Sequence, residues 1–565
     1  MTPVKVVGVR WILPGYALVL TLVVIAPLLA PGYLLIRDAV STPRSFLTDA
    51  ALGLGENAPR AVPQDFAVAA LSAVVDGGIV VKALLTAGLF LAGWGAGRLA
   101  AQLLPDAGTP GQLVAVTVAI WNPYVAERLL QGHWSLLLGY GCLPWVAASA
   151  IRLRDGGGWA PVVFWIALAG LTPTGLIMAG VVALVCAPIR RDPIVVAVAV
   201  AGALPWLVAA ASGSALGVPQ AAGLAPFAAR AEPLLGTLGS LAGLGGIWNA
   251  DAVPHSRATA FALFGTAVLL LVVACGTPVL LGRRYGERLL MLAAAAVLLP
   301  AAMATTPGMA ALRAGVEALP VLAVVRDAQK WVALAMPAYA LAGAAAVLVL
   351  RRWLRPALAA LICCAAVLFA LPDLAWGVAG AVRPVHYPHG WAAAAEQVNA
   401  DPQTVAVLPS GTMRRFAWSG RAPVLDPWPR WVRAEVLTTG DLTIGGKTVA
   451  GEGAHAREVQ RLLESGSDPA ALARAGVSWL VVQRGTPGDM GRADRLLGQL
   501  SPSYADDDIA VYRISGASPV APQNKRSLVI AAHLVWAALL IGGGAALAVC
   551  GIRRQSSGPR PWRRS

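Results

Sequence analysis

The sequence predicts a polytopic α-helical membrane protein with about twelve transmembrane helices and a small extracytoplasmic α/β domain. Of its 565 residues, 57% are hydrophobic and only 13% are charged, which is typical of a chain embedded in lipid. Twelve apolar runs can cross a hydrocarbon layer of about 30 Å. The stretch 379–526, between the last two runs, is polar enough to face water.

The twelve runs begin at 11–36 and end at 527–552. Between these lie 77–98, 111–130, 134–152, 159–172, 174–189, 193–212, 258–282, 288–305, 331–350 and 356–378. The first run is too long for a signal-peptide core, so we expect it to remain as the first span. The runs 159–172 and 174–189 are short and meet at Pro173, which favours a tight helical hairpin over two ideal spans.

Basic residues form short clusters at the ends of apolar runs, such as Arg190-Arg191 and Arg351-Arg352. With the N-terminus inside, every short cluster falls in the cytoplasm. The net charge of +15 is therefore a topology signal, and no nucleic-acid partner is expected. The predicted location is the cell inner membrane, among membrane lipids, with both termini cytoplasmic. The predicted domains are a membrane core at 1–378, the extracytoplasmic α/β domain at 379–526, a final span at 527–552 and a basic tail at 553–565.

The α/β domain is predicted from three strand-like runs separated by helical patterns. The runs are TVAVLP (404–409), SWLVVQ (478–483) and IAVYRI (509–514), rich in the β-branched residues that strands prefer. Trp418, Trp428 and Trp431 stand beside Arg and Asp residues, a composition suited to stacking on sugar faces. Buried packing against the strands explains the three tryptophans equally well.

Charged residues at the outer ends of spans are the candidates for chemistry. Asp38 directly follows the first span, and a carboxylate fixed at the membrane surface can act as general base on a sugar hydroxyl. The alternative is that Arg37 and Asp38 only anchor the helix at the lipid headgroups. The other candidate carboxylates in outer loops are Asp49, Asp65, Glu127 and Asp327.

Two segments carry cations suited to a lipid phosphate. Arg128 and His133 lie in WNPYVAERLLQGHW (121–134), and Arg326 and Lys330 lie in VVRDAQKW (324–331). Guanidinium, imidazolium and ammonium groups all donate to phosphate oxygens. The alternatives are that Glu127 and Arg128 pair with neighbours, and that the second cluster only marks the boundary of a span. HExxH, CxxC and GxxxxGK[ST] signatures do not occur, so zinc and nucleotide sites are disfavoured.

The order of these segments resembles that of a known class of membrane enzymes. Asp38 after the first span is followed by WNPYVAERLLQGHWSLLLGYGCLPWV, LTPTG, GIWN, VVRDAQKW and LARAGVSWLVV. This order resembles the GT-C class of polyprenyl-phosphate-sugar-dependent glycosyltransferases. Within it, the chain is most similar to the membrane core of cell-wall alpha-(1→3)-arabinofuranosyltransferases and to YfhO-like membrane proteins. The likeness covers most of the chain and rests on order, topology and loose motifs.

The resemblance implies a role for Asp38, because in this class a carboxylate in the first outer loop is the usual catalytic base. Arg326 and Lys330 match an aromatic-Arg-x-Pro-x-Lys pattern of the arabinofuranosyltransferases. Here Val325 and Ala328 replace the aromatic residue and the proline, which weakens that assignment. The large carbohydrate-binding extensions of the biggest members have no counterpart in this sequence, which argues against a polymeric arabinan acceptor.

The expected function is transfer of a sugar, such as arabinofuranose or mannose, from a polyprenyl-phosphate donor to a cell-envelope glycan or glycolipid on the outer face. Asp38 would deprotonate the acceptor while Arg128, His133, Arg326 or Lys330 stabilises the departing phosphate. No cofactor is assigned; a divalent cation occurs in some of the class, but no ligand spacing here identifies a metal site. The alternatives are a transporter or flippase for lipid-linked glycans and a non-catalytic assembly factor.

Overall fold

The computed structural model describes residues 4–213, 223–444, 446–517 and 525–556. The predicted basic tail lies outside these ranges from residue 557 onward. The described chain is mostly helical. Its α-helices are Val4–Ile25, Asp49–Leu52, Gln64–Leu71, Gly77–Leu103, Gly108–Ile120, Pro123–Gln131, Trp134–Arg152, Ala160–Ala169, Pro173–Cys186, Asp192–Ser212, Gly236–Ala242, Phe261–Leu281, Arg284–Met303, Thr306–Ala318, Met336–Leu350, Pro356–Phe369, Ala375–Ala379, His389–Ala400, Trp428–Trp431, Ala454–Ser465, Pro469–Arg474, Ala493–Leu497 and Arg526–Ser556.

Within the described ranges, nine helical stretches are long and apolar enough to cross a membrane. They are Trp11–Leu29, Gly77–Leu103, Pro105–Gln131, Trp134–Asp155, Ile189–Ser212, Phe261–Leu281, Arg284–Met303, Ala328–Leu350 and Arg526–Cys550. The pair Pro356–Phe369 and Pro372–Ala379, bent by 72°, would make a tenth if it is one span. A multi-pass membrane protein is therefore supported, but the predicted count of twelve is not confirmed.

The difference in count has a local cause. The predicted runs 159–172 and 174–189 form helices of only 10 and 14 residues, Ala160–Ala169 and Pro173–Cys186. The second begins at a proline, and the Thr172 hydroxyl caps it by accepting from the Gly175 amide, so one helix stops and another starts inside the apolar stretch. Pro372 opens a new helical turn in the same way after Pro356–Phe369.

Small residues let the helices pack closely. A Cβ atom on Gly88 would lie 2.8 Å from the Cα of Leu138 on the neighbouring helix, so only glycine allows this approach between Gly77–Leu103 and Trp134–Arg152. The stretches Pro105–Gln131, Trp134–Asp155 and Ala328–Leu350 are the most enclosed, with 94%, 89% and 89% of their most apolar 18 residues buried. The centre of the bundle is therefore formed by the three stretches that end or begin at the predicted cation segments.

Residues 384–514, called the sheet region below, contain most of the strands. Its four-stranded sheet has the order Pro502–Ala505, Ile509–Arg513, Trp479–Gln483, Val405–Leu408, with the last pair parallel and the others antiparallel. Three of these strands lie in the runs predicted from sequence. The remaining strands are Tyr33–Ile36, Ala39–Val40, Pro384–Val385, Met413–Arg414, Val424–Leu425, Leu442–Ile444 and Lys447–Val449.

The segment after the first span is bound to the sheet region. Tyr33–Ile36 pairs antiparallel with Pro384–Val385 on one side and with Ala39–Val40 on the other. Ion pairs extend this contact along the loop 37–76, which joins the first two predicted runs: Arg60 pairs with Glu452, and Arg430 pairs with Asp65 at 3.1 Å. The loop is therefore a folded layer between the helices and the sheet region rather than a free connection.

Candidate functional site

A short capped helix, Pro123–Gln131, holds the first cation segment. Asn122 caps its start by accepting from the Val125 amide at 3.1 Å, and Pro123 occupies the first turn, where its missing amide hydrogen costs nothing. Gly132 ends the helix with φ of 82°, a conformation that favours glycine. The amide of His133 then donates to the Arg128 carbonyl at 2.8 Å. This turn brings the His133 ring back beside the Arg128 side chain.

Arg37 fixes the position of Asp38. Its φ of 49° is unusual for a residue with a side chain, and four contacts hold it there. Its amide donates to the Pro423 carbonyl at 2.8 Å and its carbonyl accepts from the Leu425 amide at 2.9 Å. Its guanidinium donates to the carbonyls of Leu130 and Asp251. Arg37 thus joins the first loop to the sheet region, to the 121–134 turn and to the loop before the Phe261–Leu281 helix.

Asp38 accepts two hydrogen bonds on the same oxygen. His133 Nε2 lies 2.8 Å from Asp38 Oδ2, and the Gln131 amide donates to that oxygen at 3.1 Å. On the other side of the ring, Arg128 Nη1 lies 3.0 Å from His133 Nδ1. A guanidinium can only donate, so Nδ1 must be the acceptor and Nε2 must carry the proton. The geometry therefore assigns a neutral His133 that donates to the Asp38 carboxylate.

The terminal nitrogens of Arg128 form hydrogen bonds with other side chains of the protein. It donates to both oxygens of Asp327, at 2.8 and 3.1 Å, and to the Gln329 side-chain carbonyl. With the bond to His133, all four hydrogens of its two terminal nitrogens are engaged, and its side chain is 0% exposed. The Nε of Arg128 has no partner but is buried, and the one N–H of the neutral His133 ring donates to Asp38, so neither side chain offers an accessible donor to a phosphate. Their predicted phosphate contact is corrected accordingly, because their donors are either paired with neighbours or buried.

Asp38, His133, Arg128, Asp327 and Lys330 form one charged cluster, and its exposed members are at its two ends. The side chain of Asp38 is 38% exposed and that of Lys330 is 26% exposed, whereas that of Asp327 between them is 8% exposed. Lys330 Nζ lies 3.7 Å from Asp327 Oδ2, too far for a strong hydrogen bond. Asp38 and Lys330 are thus the charges of this cluster that a bound molecule can reach.

Arg326 is the second cation within reach. Its guanidinium stacks over the Phe227 ring at 4.1 Å, a cation–π contact that leaves its donors unused. In the part of the chain that the structure describes, no acidic side chain forms an ion pair with it. Burial lowers the pKa of Arg326 to about 10, so the group is still protonated at neutral pH.

The protonation of the Asp38 pair follows from its surroundings. Burial would raise the pKa of Asp38, but the hydrogen bonds from His133 and Gln131 and the charge of Lys330 outweigh it and hold the pKa below its usual value. Burial lowers the pKa of His133, and the nearby Lys330 and Arg128 charges act in the same direction. At neutral pH the pair is therefore a carboxylate beside a neutral imidazole.

Neutral amides complete the site, and the sequence motifs did not single them out. Asn249 donates to the Gln131 side chain at 2.7 Å, and Gln329 donates to Glu127 at 3.0 Å. Glu127, 0% exposed, also accepts from the amides of Gly246 and Ile247, each at 3.1 Å. Glu127 therefore binds the GIWN segment to the 121–134 turn. The only signal for these residues was that they lie within the quoted segments.

The other predicted residues lie away from Asp38. Asp49 pairs with Arg526 of the last helix, and Asp65 pairs with Arg430, so both carboxylates hold the first loop in place. Trp428 and Trp431 are only 1% and 7% exposed. The predicted sugar platform is corrected for these two: their rings belong to the core of the sheet region, which is the buried packing stated as the alternative. Trp418 is half-buried and stacks on Phe416 at 4.8 Å.

Metal binding by protein groups alone does not fit this site. In the described ranges, no group of three or more His, Cys, Asp or Glu side chains could share a metal ion. Asp327 already accepts from Arg128 on both oxygens, and only Oδ1 of Asp38 is without a hydrogen-bond partner there. One free carboxylate oxygen does not make a cation site.

Known structures share this architecture. No protein-family model matches the chain, and no curated protein matches it in sequence. The cryo-EM structure of the arabinofuranosyltransferase AftD from Mycobacteria aligns over 90% of the chain, with a TM-score of 0.56 and 16% identity. A structure of an AftD mutant aligns over 90% with a TM-score of 0.52 and 17% identity. The chain therefore shares the fold of these AftD structures over most of its length.

At the level of the fold, the alignment confirms the resemblance to arabinofuranosyltransferases that the order of the segments indicated. The chain spans 40% and 41% of the two AftD chains, so the comparison covers less than half of that enzyme. Since identity is low, the likeness establishes the fold and leaves the chemistry to the residues at the site. In this fold the cluster around Asp38 lies where the first span, the 121–134 turn and the sheet region meet.

Proposed function

We propose that the protein is a glycosyltransferase that moves a sugar from a lipid-phosphate donor to a hydroxyl group of an acceptor. The observation that carries the proposal is that a reachable carboxylate, Asp38, lies close enough to the reachable cation Lys330 for their charges to interact, and Lys330 in turn lies within range of the charge of Arg326. Such a site can accept a proton from one molecule and stabilise a phosphate leaving from another. The GT-C-like fold supports a transferase at the general level.

In the proposed reaction Asp38 is the general base. Its Oδ1 accepts the proton of the acceptor hydroxyl as that oxygen bonds to the anomeric carbon of the sugar. The bond from that carbon to the phosphate oxygen breaks, and the electron pair leaves with the phosphate. Lys330 and Arg326 stabilise the phosphate charge. Attack opposite the leaving group inverts the anomeric centre, and Asp38 later returns its proton to water.

His133 and Arg128 act in this reaction as positioning residues. Arg128 fixes the tautomer of His133, and His133 holds Asp38 ionised and oriented through Oδ2. The remaining oxygen stays available to the acceptor. A low pKa makes Asp38 a weak base at rest, so its contribution depends on being ionised and correctly placed when the hydroxyl proton becomes acidic.

The proposed substrates follow from the membrane setting. A polyprenyl-phosphate sugar would place its phosphate at the ends of the spans, beside Lys330 and Arg326, and its chain among the apolar helices. A cell-envelope glycan or glycolipid would enter from the water-facing side. We place this side outside the cell membrane, with the sheet region extracytoplasmic and both termini cytoplasmic, because the short basic clusters then lie inside.

A transporter for a lipid-linked glycan is the second candidate. Charged side chains within the membrane core often mark transport pathways, and Glu127 and Arg128 are fully buried in the stretch Pro105–Gln131. Each is, however, held by several fixed partners. Static pairing of this kind favours a structural role over one in a moving pathway. A non-catalytic assembly factor would need neither a reachable Asp38 nor free cations beside it.

Transfer by the purified chain in lipid vesicles tests the proposal. With a radiolabelled polyprenyl-phosphate sugar and a glycan acceptor, we expect labelled product and a Lys330→Gln variant with kcat/KM lower by roughly 10- to 100-fold, since a charged hydrogen bond contributes about 1.5–3 kcal/mol. Lys82→Gln is the control, because Lys82 donates to the Ala30 carbonyl at 2.9 Å and has no contact with the cluster. Folded protein that moves the lipid across the bilayer without transferring sugar would instead identify a transporter.

Replacing His133 should change the pH dependence of transfer. Because His133 helps to hold the pKa of Asp38 below its usual value, His133→Ala should move the acidic limb of the kcat/KM profile to higher pH. His133→Gln should restore much of the original profile, since its amide can donate to Asp38 in place of Nε2. An unchanged acidic limb in His133→Ala, in protein that melts normally, would remove His133 from this role.

A further inference from the structure

Two arginines of the sheet region, and a third that directly precedes it, form an exposed cluster beside the Asp38 loop. They are Arg383, Arg415 and Arg421. Arg415 Nη1 donates to the Arg421 carbonyl at 3.2 Å, and Arg383 Nη2 lies 4.0 Å from the position of a Cβ on Gly420. The guanidinium groups of Arg383 and Arg415 therefore both lie beside the turn at 420–421, which carries the exposed Arg421. Arg415 is also close enough to Arg37 for its charge to act on that buried group.

No carboxylate neutralises this cluster. Among the residues that the structure describes, none of the three arginines takes part in an ion pair. Like charges brought together repel one another, and a folded domain usually places acidic side chains among them. An unneutralised group of guanidinium donors is suited to bidentate contact with phosphate oxygens.

The cluster lies where the chain leaves the membrane core. Arg383 comes four residues after the bent pair ends at Ala379 and directly precedes Pro384, which pairs with Leu34 just beyond the first span. The hairpin that carries Arg415 and Arg421 contacts the same segment through the backbone of Arg37.

Exposed apolar side chains mark the membrane surface at this place. Trp376 is 65% exposed and Leu29 is 62% exposed. Leu29 ends the first span, and Trp376 lies in Pro372–Ala379, the second half of the bent pair. Tryptophan at the end of a span is typical of the headgroup level, where its ring lies among the lipids and its N–H meets water. Arginines immediately above such a pair would meet the phosphates of the surrounding lipids.

We propose that Arg383, Arg415 and Arg421 bind the phosphodiester headgroup of an anionic phospholipid beside the Asp38 loop. The lipid places its acyl chains against Trp376 and Leu29 and its phosphate among the guanidinium groups. This site is separate from Lys330 and Arg326 and does not depend on the proposed transferase activity. A bound lipid there fixes the height of the sheet region above the bilayer.

The test is native mass spectrometry of the full chain from nanodiscs that contain equal amounts of phosphatidylglycerol and phosphatidylcholine. The unmodified protein should retain phosphatidylglycerol in excess, and R383Q/R415Q/R421Q should lose most of that excess. The matched control is R461Q/R484Q/R495Q, which removes the same charge from exposed arginines elsewhere in the sheet region. If the first triple variant is not monodisperse, R383Q/R421Q, which keeps the Arg415 hydrogen bond, replaces it.

The readout does not involve sugar transfer, so it is independent of the proposed reaction. Equal retention of phosphatidylglycerol by the test and control variants would overturn the proposal. So would equal loss in both, because the binding would then reflect total charge rather than this cluster. Loss confined to the 383/415/421 variant supports it.

Discussion

Asp38→Asn should reduce sugar transfer by roughly 10²- to 10⁴-fold, the usual contribution of a positioned general base. Asparagine fills the same space and can still accept from His133 and Gln131 through its carbonyl oxygen, so the loop should keep its structure. The asparagine amide cannot take up the proton of the sugar-accepting hydroxyl group at neutral pH. The loss should therefore fall on kcat, with little change in the KM for the donor. Initial rates with the radiolabelled donor measure both constants.

Asp106→Asn is the matched control for this substitution. Asp106 is 63% exposed and lies just beyond the far end of the Gly77–Leu103 helix, 3.5 Å from Arg283. The control variant should transfer sugar at the unmodified rate. Full activity in Asp38→Asn would show that Asp38 is not the base, and equal loss in both variants would indicate a general effect on the protein.

Arg128→Met should produce the largest loss of stability among single substitutions at the site. It leaves Asp327, 8% exposed, with only the distant Lys330 as a charged partner, and it removes the donor to His133 Nδ1. Removing one partner of a buried ion pair costs about 3–5 kcal/mol. In purified protein this should appear as a clear fall in the melting temperature.

The double variant Arg128→Met with Asp327→Asn separates pairing from packing. Removing the uncompensated charge should recover part of the lost melting temperature, because a neutral amide is cheaper to bury than an unpaired carboxylate. Arg283→Gln breaks a largely exposed pair with Asp106 and should change stability by about 1 kcal/mol or less. Equal losses in Arg128→Met and Arg283→Gln would mean that the buried network contributes no more than a surface pair.

Local patterns predicted the parts of the fold that depend on neighbouring residues. Long apolar runs identified nine of the spans, and runs rich in β-branched residues identified three strands. The shortfall from twelve lies at the two short helices that meet at Pro173, where the sequence already favoured a hairpin, and at Pro372, which divides the run 356–378. Hydropathy records how apolar a stretch is, but not where its helix stops.

The candidate site was predicted only in part, because local patterns do not show contacts between residues that are distant in sequence. Asp38, Lys330 and Arg326 became candidates because each lies near the end of an apolar run, and they remain predicted site residues. Arg128 was assigned to a phosphate because its buried partners, Asp327 and Gln329, are distant in sequence. The tryptophans were ambiguous because stacking on sugars and packing in a core require the same side chains. Only tertiary contacts distinguish a cation that is free from one that is already paired.

The contacts of Arg37 have a consequence for the order of assembly. Residue 37 leaves the ribosome early, yet its backbone partners, Pro423 and Leu425, are synthesised only after most of the membrane helices. The loop that carries Asp38 therefore remains incompletely fixed while the helices insert into the membrane. Its remaining backbone contacts form only when the sheet region has been synthesised. In a nascent or truncated chain without the sheet region, Arg37 would lack its two backbone partners and Asp38 would not be fixed beside the cations. If the proposed mechanism holds, such a chain should not transfer sugar until the sheet region has folded onto the bundle.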